Sequence, residues 1–438
     1  MLRANLSLSF LPRFAVVLIL LIAAGCSDQG LMGPFFVTTP TATAVVDGDY
    51  EYDSHAAGYV HDITYSIVTG PVGMAIDSGG MVTWTPATTD LGEVPVTIMV
   101  TDGEVPIMQE WVLVVHQDVL FGVAFSPIGH AGSITDDNEL EFLTNSDPWG
   151  RLISFNSPWR NSVADAGNVP DLAAFAQTAR IENGIEPAVG FSWAAADGTP
   201  DLTSEGDGID NSWTNQETRD EFLAMVTYYA SVNQPPNLFL GYEVNTWYLG
   251  DMAGWPDWLS MLGECYDSIK AVSPNTIVST IFQLEHMKGL GSGTVGWMDA
   301  AHWNLVDDIA ASGKIDAIGF TSYPYFEYAT PMAIPAGYYD EISAHWTGPV
   351  IFHEIAWPAT AAAPYPGAEM DQSDFVTEFL SRTNLLDMEY ISWKFLHDFD
   401  GDAGTPGFLN TGFRSNDGMT TRLSDATWQA ALLLRERP

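Results

Sequence analysis

The 438-residue sequence predicts a multidomain protein in which a small all-β sandwich precedes an α/β barrel of the (β/α)8 TIM type. Between residues 36 and 117, apolar and polar residues alternate in short segments separated by turn signals, which is typical of a sandwich. From residue 118 onward, short apolar runs alternate with helical stripes, which favours βα repeats around a parallel sheet. A doubly wound open sheet is the alternative. It requires a glycine-rich phosphate loop after its first strand, and residues 122–126 offer none.

The first 26 residues have the pattern of an export signal. Arg3 and Arg13 precede an apolar run at 14–24, which is too short for a stable membrane span. The following LIAAGC resembles the lipobox of bacterial lipoproteins, which implies that Cys26 becomes a lipidated N-terminus and that residues 27–35 form a tether. Ordinary cleavage and release is the alternative. We therefore expect an exported protein, lipid-anchored at the bacterial cell surface or the periplasmic face of a membrane.

Composition limits the partners, disulfides and metal sites that the chain can have. Acidic residues number 56 against 15 basic ones, so a net charge of −41 repels nucleic acid phosphates. If Cys26 is lipidated, only Cys265 remains and no intrachain disulfide forms. No His/Cys cluster has zinc spacing, so we predict neither metal nor cofactor. The DFDGD segment at 398–402 resembles a calcium loop without the rest of an EF-hand, and a solvated loop is the alternative. A monomer is expected.

The sandwich segment carries a family resemblance. The run ITYSIVTGPVGMAIDSGGMVTWTP, followed by VTIMVTDG, resembles the bacterial Putative Ig and cadherin-like modules over nearly all of 36–117. The resemblance implies an Ig-like spacer or adhesion unit. No cluster of catalytic residue types lies in this segment.

The barrel, at 118–438, is predicted from eight apolar runs with helical stripes between most of them. The predicted strands are 120–125, 151–155, 186–191, 238–241, 276–282, 315–320, 350–352 and 390–395. The predicted helix at 138–144 is the least periodic. Thr214 and Glu217 have the spacing of a capping box at the start of another helix.

Two strand ends present carboxylates. Glu243 follows the fourth predicted strand and Glu354 follows the seventh, so both are expected on the face where all barrel strands end. Two facing carboxylates suit glycoside hydrolysis, in which one protonates the leaving oxygen and the other attacks or activates water. Their surroundings must then differ, so that one stays protonated near neutral pH.

Several motifs resemble the clan A glycoside hydrolases. HEIAWP, at 353–358, is similar to the nucleophile strand of that clan and to a motif of family 17, and SYPYF, at 322–326, resembles the same group. ISWKF, at 391–395, ends the eighth strand. By resemblance, Glu243 is the acid/base, Glu354 the nucleophile, Tyr323 its hydrogen-bond donor and Trp393 an aromatic platform under the reacting sugar.

One position departs from the clan pattern. The clan has Asn immediately before the acid/base to hold the sugar 2-hydroxyl, whereas this chain has Tyr242, which we also expect to contact the substrate. Asn245 or Asn156 could take that role. Further sugar contacts are expected from loop residues, and one of these, the carboxylate at 285, would be the acid if the strand count were off by one. These candidates are Trp159, Trp193, Trp247, Glu285 and His286.

The sequence therefore predicts a surface-anchored retaining glycoside hydrolase that acts on a polysaccharide by a two-carboxylate double displacement. The alternative is a non-catalytic carbohydrate-binding barrel lipoprotein, which the Tyr242 departure would favour. A third hypothesis, an adhesion protein in which only the sandwich matters, does not account for the two acids at matching strand ends.

Overall fold

A computed structural model describes residues 33–129, 135–159, 171–193, 212–399 and 406–435. Cys26 and the predicted signal lie outside the described residues, as do Asp400 and Asp402 of the predicted calcium loop. Among the described residues, no helix has the length and hydropathy needed to cross a membrane.

The N-terminal region is a sandwich of short strands. The strands are β1 (Phe35–Phe36), β2 (Thr43–Val45), β3 (Tyr50–Asp53), β4 (Ala56–Ala57), β5 (Thr64–Thr69), β6 (Ala75–Ile76), β7 (Met81–Trp84), β8 (Gly92–Thr101) and β9 (Pro106–His116). One sheet has the order β2-β9-β8-β5 and the other β3-β7-β6, while β1 pairs with β4. Val96 and Ile98 of one sheet pack with Val82 and Trp84 of the other, so the predicted alternation buries one face of the strands that carry them.

The C-terminal region is a closed, all-parallel barrel. Its strands are β10 (Leu120–Ala124), β11 (Leu152–Pro158), β12 (Glu186–Ser192), β13 (Asn237–Leu240), β14 (Ile277–Gln283), β15 (Ala317–Ser322), β16 (Val350–Ile355) and β19 (Met388–Trp393). They close in chain order, with β19 pairing back to β10. All eight predicted strands are present, and the predicted fold class is confirmed. A small antiparallel hairpin, β17 (Thr360–Ala362) and β18 (Tyr365–Ala368), is inserted between the last two barrel strands.

Helices connect the strands. They are α1 (Asp136–Asn145), α2 (Asp171–Asn183), α3 (Gln216–Asn233), α4 (Val244–Gly250), α5 (Trp255–Val272), α6 (Leu284–Met287), α7 (Asn304–Ser312), α8 (Ile342–His345), α9 (Glu369–Arg382) and α10 (Leu423–Arg435). The capping box predicted at Thr214 is wrong by one residue. The side chain of Asn215 caps α3 instead, because its oxygen accepts from the backbone N–H groups of Glu217 and Thr218.

The barrel interior is filled by one residue from each strand. These are Leu120, Leu152, Ala188, Phe239, Ile281, Ala317, Ile351 and Tyr390. Gly190 leaves room for the ring of Phe239, since a Cβ there would lie 1.9 Å from it. Because side chains alternate along a strand, this layer shows which residue of each strand end faces the mouth of the barrel.

Candidate active site

Glu354 reaches the barrel mouth through an irregular strand. Ile351 and His353 face the interior, where His353 Nδ1 lies 2.8 Å from the Tyr390 hydroxyl. Strict alternation would turn Glu354 outward. The pairing with β15 shifts register, however, so that Phe320 opposes Phe352 but Thr321 opposes Glu354. The extra residue in β16 acts as a bulge, and bulges re-aim side chains in this way.

The Glu354 carboxylate is held through one oxygen. Its Oε2 accepts hydrogen bonds from Tyr323 Oη at 2.5 Å, from Tyr242 Oη at 2.8 Å, and from the Lys394 ammonium. Burial raises the pKa of Glu354, but the charges of Lys394 and His353 and the hydrogen bonds from Lys394 and Tyr323 together outweigh burial, so the net pKa is lowered. Among the described residues Oε1 accepts no hydrogen bond, so an ionised carboxylate has one oxygen free.

Lys394 was not predicted from the sequence. On β19, Tyr390 lies in the interior layer, and the Ser392 hydroxyl is hydrogen-bonded to the Ser154 hydroxyl of β11 at 2.9 Å. Alternation from these two residues places Lys394 at the mouth of the barrel. Lys394 is 8% exposed. Counting positions from Tyr390 in steps of two would have found it.

The same alternation corrects the expectation for Trp393. The ring is fully buried on the outer face of β19, stacked on Phe413 at a centroid distance of 4.6 Å and packed against Trp428. Its indole N–H donates to the Thr411 carbonyl at 2.8 Å. Trp393 is therefore part of the helix-facing core and not a platform open to a sugar.

Glu243 sits on a sharp turn directly after β13. Gly241 and Glu243 both have positive φ, 86° and 51°, and a Cβ at Gly241 would lie 2.4 Å from the Trp193 ring. A non-glycine residue held in this region is uncommon and is often found at functional sites. The turn brings Glu243 Oε1 to 2.7 Å from Thr321 Oγ1, the residue that opposes Glu354 in the sheet.

The two carboxyls have opposite electrostatic surroundings. The pKa of Glu243 is raised to about 7, first by burial and further by the negative charges of Glu354 and Glu285. The Thr321 hydrogen bond and the Lys394 charge oppose that rise. Near neutral pH, Glu243 is thus substantially protonated while Glu354 is ionised, which is the division of labour that an acid and a nucleophile require.

Tyr242 occupies the position expected for an Asn and contacts Glu354. It is half-buried, its hydroxyl donates to Glu354 Oε2, and its ring centroid lies 5.9 Å from that of His353. The structure thus gives Tyr242 a contact with Glu354 beyond the sugar contact expected from the sequence.

The two Asn candidates differ. Asn245 is fully buried and clamps the end of β14, since its amide accepts from the Gln283 N–H at 2.8 Å and donates to the Gln283 carbonyl at 3.0 Å. The expectation that Asn245 contacts sugar is therefore not supported. Asn156 follows Leu152 and Ser154 on the interior face of β11, and its buried Oδ1 has no partner among the described residues.

Glu285 is a structural carboxylate and not an alternative acid. It is fully buried and accepts four hydrogen bonds. The donors are Gln283 Nε2 at 2.6 Å, the Tyr323 backbone N–H at 2.8 Å, Tyr338 Oη at 2.9 Å and Ser322 Oγ at 3.0 Å. Burial raises its pKa and these donors oppose the rise. With two donors on each oxygen, Glu285 holds the end of β15 in place.

The remaining aromatic candidates lie in the core and not in the mouth. Trp193 packs against Trp258 at 4.1 Å and lies 6.1 Å from Trp247, while Trp159 packs against Phe222 at 5.4 Å. These three Trp residues are at most 7% exposed, so the expected sugar contacts are not available.

His286 is 3% exposed, stacks on Trp297 at 4.3 Å and places Nε2 at 3.0 Å from Asp299. Tight packing and pairing leave it no open face for a sugar.

The described residues contain no group of three or more His, Cys, Asp or Glu side chains that could hold a metal ion. Asp398, the first residue of the predicted calcium loop, is already paired with Arg422 and accepts the Gly412 N–H at 2.9 Å.

Comparison with known proteins bears on both regions. Residues 33–110 match the family described as Putative Ig domain. No curated protein sequence gives a significant match.

Solved structures similar to the chain include the exo-beta-1,4-mannosidase Op5Man5 from Opitutaceae bacterium strain TAV5, at 13% identity and a TM-score of 0.55, covering 73% of this chain and 60% of that one. GH5_18 from Streptomyces cattleya, solved with Manb1-4GlcNAc, has 14% identity and a TM-score of 0.55. The match covers 73% of this chain and 83% of that one. The family 1 b-glucosidase from Thermotoga maritima has 12% identity and a TM-score of 0.50, covering 73% and 99%. The chain thus joins a region that matches the Putative Ig domain to an eight-stranded parallel barrel whose fold is similar to that of these solved structures.

Proposed function

We propose that the barrel is a retaining glycoside hydrolase in which Glu354 is the nucleophile and Glu243 the acid/base. The observation that carries this proposal is the electrostatic difference between the two carboxyls at one mouth. Lys394 keeps Glu354 ionised, whereas burial and neighbouring negative charge favour the protonated form of Glu243. A pair of surface acids would not be separated in this way.

The mechanism proposed is a double displacement. In the first step Glu354 Oε1 forms a bond to the anomeric carbon, while the glycosidic bond breaks and its oxygen takes the Glu243 proton. In the second step Glu243, now a carboxylate, takes a proton from water. The resulting hydroxide bonds the anomeric carbon and releases Glu354. A retaining enzyme should have the two carboxyls roughly 5–5.5 Å apart.

The surrounding hydroxyls assign the two Glu354 oxygens different tasks. Tyr323, Tyr242 and Lys394 all hold Oε2, which leaves Oε1 to attack. Because all three groups stabilise the carboxylate, they also make Glu354 a better leaving group in the second step.

The substrate proposed is a polysaccharide outside the cell. The export signal and Cys26 would tether the protein to a membrane surface as a monomer, and the sandwich would act as a spacer. Two of the similar solved structures are named for a β-mannosidase activity and a bound Manb1-4GlcNAc, and a third is named a b-glucosidase. We therefore place β-mannans and β-glucans, including β-1,3-glucan, first among substrates to test.

The test is hydrolysis of a polysaccharide panel by the full chain and by Glu354→Gln and Glu243→Gln. Both substitutions should abolish turnover, and ¹H NMR of early product should show the same anomeric configuration as the substrate. The matched control is Glu182→Gln, at an exposed position on α2. Inversion of configuration, or full activity in Glu354→Gln, would sink the assignment.

A second candidate is a carbohydrate-binding barrel that does not hydrolyse its ligand. Tyr242 favours this non-catalytic function, because its phenol, hydrogen-bonded to Glu354, occupies the position where the clan has an Asn. Glycan binding by the full chain, with no product from any polysaccharide and unchanged affinity in Glu354→Gln, would identify this function.

A further inference from the structure

A groove of about 320 Å³ lies beside the barrel mouth, between the loop after β15 and the β17–β18 hairpin. Its aromatic walls are Tyr325, Tyr328 and Tyr365, and Glu327 and Thr294 add polar atoms. We propose that this groove is a binding subsite for an uncharged sugar unit of the same glycan whose scissile bond lies between Glu243 and Glu354. The proposal rests on the proposed function and names its substrate class, a neutral glycan of several units.

The groove is connected to the catalytic carboxyls by a row of aromatic rings. Tyr323, which donates to Glu354, lies 6.1 Å from Tyr325 between ring centroids, and Tyr325 lies 6.2 Å from Tyr365. Phe326 fills the space between them, 5.4 Å from Tyr323 and 5.7 Å from Tyr365. A glycan that leaves the reacting position on this side therefore meets the groove within a few sugar units.

The lining suits a sugar ring. Phenol rings present apolar faces to the C–H groups of a pyranose and keep a polar edge for its hydroxyls. Glu327 is exposed, and within the part of the chain that the structure describes its one hydrogen bond is to Oε2, from the Gly291 N–H at 3.0 Å. Its other oxygen can accept a hydrogen bond from a sugar hydroxyl.

Charge decides against an acidic sugar. Among the described residues, none that lines the groove is Lys or Arg, and Glu327 places a carboxylate at its edge. The chain as a whole carries a net charge of −41. A uronate or a sulfated unit would be repelled by the Glu327 carboxylate nearby and by the net negative charge of the chain at longer range. The volume lies at the small end of ligand sites, which span about 300–1,000 Å³, so the groove holds only a short stretch of glycan.

The proposal is tested by binding to the full chain carrying Glu354→Gln, which needs no turnover. The probes are hexasaccharides of β-1,4-mannan, β-1,3-glucan, β-1,4-glucan and β-1,4-xylan, with hexagalacturonate as the anionic comparison, measured by calorimetry. At least one neutral hexasaccharide should bind, and better than hexagalacturonate. Adding Tyr365→Ala should weaken that binding about tenfold through loss of the aromatic contact. Ala361→Phe, which fills the groove from an exposed position, should weaken it as well.

Tyr228→Ala is the matched control, because Tyr228 is 43% exposed on α3 and lines no part of the groove. It should change affinity less than twofold. The proposal is overturned if neither Tyr365→Ala nor Ala361→Phe changes the affinity. It is also overturned if hexagalacturonate binds more tightly than the neutral probes, or if no neutral probe binds. Failure of the proposed function shows separately, either as no turnover of any polysaccharide by the unsubstituted chain or as turnover that survives Glu354→Gln.

Discussion

Replacing Lys394 with Met isolates the effect of one charge on the proposed nucleophile. Met has a similar length and no charge, so the space beside Tyr323 and Phe408 stays filled. The Lys394 charge is the largest of the effects that lower the pKa of Glu354, and it opposes the effect of burial. Without it, burial dominates and the pKa of Glu354 must rise.

The size of the effect follows from Coulomb's law. Two unit charges about 4 Å apart interact by about 4 kcal/mol at an effective dielectric constant of 20, and each 1.36 kcal/mol corresponds to one pKa unit. Part of this interaction is recovered by the Tyr323 and Tyr242 hydrogen bonds and by water entering the mouth. We therefore expect kcat/KM to fall by at least about tenfold in Lys394→Met on the acidic side of the pH profile, where each unit of rise in the Glu354 pKa lowers the ionised fraction about tenfold.

The diagnostic measurement is the pH profile of kcat/KM. Its acidic limb reports ionisation of the nucleophile in the free enzyme, and this limb should move to higher pH in Lys394→Met. The matched control is Lys288→Met, which removes a lysine that also pairs with a carboxylate, Glu341, in the same barrel. A profile of Lys394→Met that falls in rate without any shift of the acidic limb would refute the electrostatic explanation.

Other substitutions separate catalytic from structural roles. Because the pKa of Glu243 is raised, the folded state binds its proton more tightly than the unfolded state, and stability falls as pH rises from about 4.5 to about 7. Glu243→Gln should therefore stabilise the fold above pH 7, by up to roughly 3 kcal/mol in urea denaturation. Equal stability of the two proteins at pH 8 would contradict this. Tyr242→Phe should lower kcat about tenfold with KM little changed, because one charge-assisted hydrogen bond to Glu354 is lost; an unchanged kcat would remove Tyr242 from the mechanism. Glu285→Gln converts an acceptor of four hydrogen bonds into a partial donor and should cost about 2–4 kcal/mol of stability, read from its denaturation midpoint. Trp393→Phe should lower the melting temperature while leaving KM within twofold, whereas a sugar platform would show a large rise in KM.

The strands were predictable because their signal is local. Each barrel strand is an apolar run buried on both faces, and such runs are visible in the sequence wherever they pair. The two carboxyls were predictable for a related reason, since every strand of a parallel barrel ends on the same face. Glu243 follows one such strand and Glu354 lies at the end of another, so their shared location needs no knowledge of the contacts between them.

The misassigned residues have a common cause. Trp393 and Trp193 belong to the helix-facing layer, and Asn245 is clamped against β14. A loop or strand-end position in the sequence does not show which way its side chain points. Alternation from the interior layer would have exchanged Trp393 for Lys394, but that requires knowing which residue of β19 is interior.

The sequence by itself determined the two regions, the eight barrel strands and the face that carries the acids, because apolar periodicity depends only on neighbours along the chain. Only the tertiary structure decided the chemistry available at that face. The shifted register between β15 and β16 turns Glu354 inward, and the left-handed turn aims Glu243 at Thr321. Lys394, 40 positions along the chain from Glu354, then sets the charge of that carboxyl. Such contacts join distant residues, and their effect on a pKa depends on separation in space and on exclusion of water, which residue order does not record.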